Sequence, residues 1–178
     1  MTVATGHLYV LRMLRALLAG PEQYLFRIDP DTLVWRTFTK LPSFTCLFGT
    51  METISEGQSD EIQSPPNIQG GCIGMTRDAA SAIVESGLLT QDNCADNCYT
   101  TWVRCRDMEL TVARGRCSDD FIMSWAAGSL DIPIIDYSEI RSRWRRPISN
   151  HNLRYAVTHP HKSINGAVSE LAVPVSSK

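Results

Sequence analysis

Leucines recur at Leu8, Leu11, Leu14, Leu17 and Leu18, the spacing of one helix face, which predicts a helix over His7–Ala19 stopped by Gly20-Pro21. The pattern then changes. Tyr24-Leu25-Phe26-Arg27-Ile28 is a short, mostly apolar run of strand type, and it leads directly into Asp29-Pro30-Asp31-Thr32, a turn-forming tetrapeptide. Both acids therefore fall at the strand's C-terminal end, the edge where ligands collect in open α/β sheets.

A second apolar run, Cys46-Leu47-Phe48, ends at Gly49. The polar stretch from Glu52 to Gln69, with Ser64-Pro65-Pro66 inside it, predicts a surface loop with the character of a mobile lid. Gly70-Gly71-Cys72-Ile73-Gly74-Met75 reads as a glycine-punctuated strand, and Thr76 as the N-cap of a helix from Arg77 to Ser86 closed by Gly87. Gln91 to Gly115 has no clean period and predicts no element. Ser118 next reads as an N-cap, with Asp119 and Asp120 in the first turn of a helix through Ala127 ended by Gly128. Ile132-Pro133-Ile134-Ile135 has the pattern of an edge strand, Tyr155 to Lys162 is the last informative segment, and Ser163 to Lys178 predicts a loose tail. No repeat or linker divides the chain, so a single domain over 1–178 with its core at 7–162 is expected.

Composition narrows the function classes. The 178 residues, 43% hydrophobic and 20% charged, suit one globular domain with a sizeable core. A formal net charge of −2 provides no basic field for a phosphate backbone, which excludes nucleic acid as the expected partner. The apolar stretch Leu8 to Leu18 is too short for a bilayer and is interrupted by Arg12 and Arg15; neither a transmembrane segment nor a signal peptide is predicted, and a cytoplasmic location is expected. Six cysteines, Cys46, Cys72, Cys94, Cys98, Cys105 and Cys117, show no CxxC spacing, so reduced and partly buried thiols are expected in place of a disulfide scaffold or zinc knuckle.

Two carboxylates one residue apart on a proline-stiffened turn can offer hard oxygen ligands to Mg²⁺ or Mn²⁺, which combine carboxylate, water and phosphate oxygens. The order of an apolar strand ending in this DxD, Gly70-Gly71, the Asp119-Asp120 helix start and His159-Pro160-His161-Lys162 resembles the GT-A class of nucleotide-sugar glycosyltransferases. The resemblance covers about Tyr24 to Lys162. It implies a GT-A-like α/β fold, a mixed sheet flanked by helices, and transfer of a sugar from a UDP- or GDP-sugar donor to a glycan hydroxyl. It further implies that Asp31 binds a divalent metal directly and that Asp29 meets it through water or holds the donor. His159 would be the third ligand, with His161 in reserve, and Lys162 would neutralise the leaving diphosphate. Gly70 and Gly71 would leave room for donor and acceptor, and Asp120 or Asp119 would be the general base. The class places several βα units before the DxD strand to form the nucleotide pocket, and here one helix precedes it. The resemblance therefore implies missing N-terminal βα units, supplied by a longer protein or a partner chain, or else a remnant with little activity.

Aromatic faces at Trp35, Trp125 and Trp144 suit a pyranose, although Trp125 lies inside a predicted apolar helix and is assigned to the core. The basic run Arg141, Arg143, Arg145, Arg146 reads as a solvated face, or as a contact for an anionic glycan or lipid headgroup. Two rival functions stay open. A haloacid-dehalogenase-type Mg²⁺ phosphatase also follows an apolar strand with paired aspartates, but its motif wants Thr or Val where Leu33 stands. A non-catalytic α/β binding module is the other.

Overall fold

The computed structural model describes residues 3–51, 68–97, 101–106, 109–114, 119–142 and 155–159, with the side chains of 3–5, 95–97, 101–106 and 109–114 excepted. The chain is a mixed α/β protein in the element order α1 (Val3–Ala19), β1 (Tyr24–Ile28), β2 (Leu33–Val34), β3 (Leu47–Met51), β4 (Ile68–Thr76), α2 (Arg77–Glu85), α3 (Gln91–Asn97), β5 (Thr101–Arg106), β6 (Glu109–Arg114), α4 (Asp119–Ser129), β7 (Ile134–Asp136), β8 (Ile140–Ser142) and β9 (Val157–His159). Among the described residues no helix is long and apolar enough to cross a membrane.

A four-stranded mixed sheet runs in the order β1-β4-β3-β7, antiparallel except for the β3–β7 pair. A smaller sheet, β2-β9-β8, carries the chain's last described strand in its middle, and β5 pairs with β6 as a hairpin. Alternation along the strands sends residues to two cores. Leu47, Ile73 and Met75 join Val10 and Leu14 of α1, Ala79 and Ile83 of α2, and Ile122 and Met123 of α4. Their neighbours Phe48 and Cys72 meet Ile140 and Val157 of the smaller sheet and Ala156 just before β9. Gly74 is needed on that second face, since a Cβ there would lie 2.1 Å from the Phe48 ring. Phe48 packs edge-on against Phe26 and Tyr137, and Phe26 stacks on Phe38 with centroids 4.8 Å apart.

Several elements differ from the sequence expectation. The buried stripe of α1 is Val10, Leu14 and Leu17, while Leu8 is 45% exposed, because the helices packed against α1 select a face slightly rotated from the leucine count. Strand β4 starts at Ile68, so the polar loop expected up to Gln69 stops short of it; Glu52 to residue 67 lies outside the described residues. Thr76 occupies the N-cap position of α2 but makes no capping bond, its Oγ1 accepting instead from the Cys46 amide at 3.1 Å. Gly128 does not end α4. The helix closes at Asp131, φ 53°, where Ile132 N–H reaches Ala127 O at 2.9 Å and Asp131 N–H reaches Gly128 O at 3.2 Å, a Schellman closure with aspartate in the left-handed position. The stretch after Gln91 without a clean period contains α3 and the β5–β6 hairpin. Cys46, Cys72 and Cys94 are free and buried, and burial pushes the Cys46 and Cys72 thiols up to about 11 and about 12.

Candidate functional site

Strand β1 delivers the acidic turn. It pairs with β4 through Ile28↔Cys72, and the ladder continues one step further as Asp29 N–H bonds Gly71 O at 3.0 Å. Thr32 then folds the turn back, its amide on Asp29 O at 3.0 Å and its hydroxyl on Gly71 O at 2.7 Å. Asp29 and Asp31 are thereby held on the same side of the turn, next to β9.

Strand β9 delivers the histidine. Trp35, just after β2, donates its amide to Ala156 O at 2.8 Å and its indole N–H to Thr158 Oγ1 at 2.7 Å, tying β9 to the chain that follows the turn. His159 is 5% exposed, and its Nε2 lies 3.0 Å from Asp31 Oδ1 and 3.6 Å from Asp29 Oδ2. Nδ1 faces Ser142 Oγ at 3.0 Å, and Ser142 is itself fixed by its amide's bond to Thr50 Oγ1 at 2.9 Å. A hydroxyl can donate to or accept from Nδ1, so either tautomer of the ring is supported. Ligand atoms of Asp29, Asp31 and His159 all lie within 4.8 Å of one another.

The glycine pair lets these groups approach. The register of β4 against β3 shifts between Gly49 and Met51, whose partners are Ile73 and Ile68. Across that irregularity Gly70 faces α4 and Gly71 faces β9: a Cβ on Gly70 would lie 2.8 Å from Asp120 Oδ2, and one on Gly71 would lie 2.2 Å from His159 Cγ. Gly70 and Gly71 were expected to leave room for donor and acceptor; the space directly beside them holds the His159 ring and the Asp120 carboxylate.

Arg27 joins the acidic groups. Its Nη1 lies 2.7 Å from Asp29 Oδ1 and also donates to Gly70 O, while Nε and Nη2 bond both oxygens of Asp119 at 2.6 and 3.1 Å. Asp119 is thus turned to Arg27 with its whole carboxylate. Asp120, next along α4, accepts the Phe121 amide at 2.9 Å through Oδ1 and places Oδ2 beside Gly70. Burial raises the Asp29 carboxyl above its ordinary value, with Arg27 and His159 pulling the other way. Arg27 is held in its charged form: burial works against the charge, and Asp119 and Asp29 outweigh it.

Asp29, Asp31, Gly70, Gly71, Asp119, Asp120 and His159, widely spread in sequence, therefore meet at one end of the larger sheet. Lys162 and His161 lie outside the described residues. Arg27 and Ser142 were not singled out from the sequence. For Arg27 a signal existed, because a cation inside an apolar strand two positions before Asp29 must share that residue's face. Ser142 carries no such signal; its role depends on β8 pairing in parallel with β9, Ser142 opposite His159.

No family model matches the chain, and no curated protein matches it either.

Proposed function

We propose that this chain carries the donor site of a metal-dependent glycosyltransferase of GT-A type, which moves a sugar from a nucleotide diphosphate to a hydroxyl group. The observation that supports this reading most is the meeting of Asp29, Asp31 and His159 beside the Asp119-Asp120 start of α4. The donor set fits a divalent cation of the Mn²⁺ or Mg²⁺ kind: two carboxylates and an imidazole, with Arg27 behind one carboxylate and Ser142 behind the ring. Asp31 and His159 would hold the ion, with Asp29 as the third ligand. When bound, such an ion supplies positive charge to the diphosphate as the bond to the sugar breaks.

Each protein group then has a separate task. His159 would present Nε2 to the cation, and with Nδ1 protonated the ring would donate to Ser142 Oγ, the contact that sets its orientation. Asp119 neutralises Arg27 and anchors α4 to β1. Asp120, whose Oδ2 lies beside Gly70, would accept the acceptor hydroxyl's proton as that oxygen attacks the anomeric carbon. Lys162 keeps its proposed role at the leaving diphosphate. The partly apolar surface formed by Val34, Trp35, Phe38 and Leu41, next to β9, is suited to the face of a sugar acceptor.

The test is thermal denaturation with Mn²⁺, UDP or GDP, and both together. A ligand that binds only the folded state raises Tm by mass action, and a rise larger with ion and nucleotide than with either alone is expected. Asp31→Asn should abolish the joint effect. No shift with any combination, in folded protein, would contradict the reading, and hydrolysis of a phosphomonoester lost in Asp29→Asn would favour a phosphatase instead.

A further inference from the structure

We propose that Arg27 sets the cation preference of this site by holding Asp29 to coordination through one oxygen, which favours Mn²⁺ over the larger Ca²⁺. The inference rests on the cation reading given above. The guanidinium is fixed from three sides, by Asp29 Oδ1 at 2.7 Å, by both Asp119 oxygens at 2.6 and 3.1 Å, and by the Gly70 carbonyl. Its side chain is 15% exposed, so water offers little replacement for any of these bonds. Asp29 Oδ1 is committed to the arginine, and Oδ2 is the oxygen that faces His159 Nε2 at 3.6 Å.

That division of labour matters differently to different ions. Ca²⁺ gathers six to eight oxygens and readily takes both oxygens of one carboxylate, whereas smaller ions of the Mg²⁺ type keep six ligands and take one. Two-oxygen binding by Asp29 would make Oδ1 serve the ion and the arginine at once, weakening a charge-assisted hydrogen bond from a guanidinium that Asp119 prevents from moving away. A bidentate fork of this kind is specific to arginine; lysine provides a point charge in its place.

Arg27 also repels any cation bound nearby. That repulsion acts on Mn²⁺ and Ca²⁺ alike, because their charges are equal, and it cancels in the ratio of their affinities. The ratio therefore reads coordination alone.

The experiment titrates Mn²⁺ alone into the full chain by electron paramagnetic resonance and displaces it with Ca²⁺, for the wild type, Arg27→Gln, Arg27→Lys and Asp119→Asn. The Mn²⁺-to-Ca²⁺ preference is expected to fall about tenfold in Arg27→Gln and Arg27→Lys, whatever happens to the absolute affinities, a change equal to the smaller losses of metal affinity that follow removal of a ligand's supporting partner. Asp119→Asn, which loosens the fork without removing it, is expected to give a smaller fall in the same direction. It also keeps the question answerable if Arg27→Gln does not fold. An unchanged ratio in folded variants, or an equal weakening of both ions, would overturn the assignment to Arg27. Folded wild-type protein that binds no Mn²⁺ would instead overturn the cation site itself.

Discussion

At the scale of single residues, the site depends on side chains that another residue must leave space for. Gly71 is the clearest case: a methyl group there would lie 2.2 Å from His159 Cγ and 2.4 Å from its Cβ, both close to the backbone and unable to swing away. Gly71→Ala is therefore expected to cost roughly 1–3 kcal/mol of stability and to displace the imidazole from the acidic turn. Urea unfolding and a Mn²⁺ titration would check the two effects together, and a variant with wild-type stability and Mn²⁺ affinity would show that the ring does not rest on Gly71. Gly70→Ala meets the mobile end of Asp120 and should be milder. The sequence made the identities of these residues legible, since DxD, Gly-Gly, Asp-Asp and His-Pro-His are readable as spacing. It did not show what the glycines accommodate, because that depends on a shift in pairing between β3 and β4 that no local pattern encodes.

Among the elements, the segment after β2 is held by Glu139, a buried carboxylate just before β8. It accepts from Arg36 Nη1 at 2.5 Å, Thr39 Oγ1 at 2.7 Å, the Thr39 amide at 3.0 Å and Tyr137 OH at 3.0 Å. Burial alone would raise its pKa, but the hydrogen bonds from Thr39 and Arg36 dominate and bring it down to about 2 from an ordinary 4.5. A carboxyl depressed in the folded state stabilises above its unfolded pKa and loses that contribution as pH falls through the folded one. Glu139 should thus stabilise the fold at neutral pH, a contribution that disappears between about pH 4.5 and pH 2. Glu139→Gln is expected to be less stable at pH 7 and to show a shallower decline across that window in urea unfolding; an unchanged pH profile would contradict this. Element types were well marked in the sequence where one period dominated, as in α1, β1 and α2. Where pairing decided, they were hidden: the β5–β6 hairpin holds six residue pairs drawn from a stretch with no clean alternation. The end of α4 was misplaced for a similar reason, since Asp131 takes the left-handed position that glycine usually fills.

For the molecule as a whole, two sheets share one purpose. The larger sheet sets the acidic turn and the glycine pair, the smaller one sets His159, and the aromatic cluster of Phe26, Phe38, Phe48 and Tyr137 fixes them against each other. Packing of α4 against β4 brings Asp119 to Arg27, so the acidic turn and the start of α4 are joined through one arginine. The class of fold, mixed α/β, could be read from alternating helix and strand patterns; which ends of which strands meet could not, because it follows from the antiparallel order β1-β4-β3 and the parallel seating of β9 on β8. Anomalous diffraction at the manganese edge, from crystals grown with Mn²⁺ and UDP, tests the central claim most directly. One peak per chain bonded to Asp31 and His159 Nε2, with diphosphate oxygens completing its shell, is the expected result. Manganese elsewhere on the surface, with Asp31 and His159 still paired to each other, would contradict it.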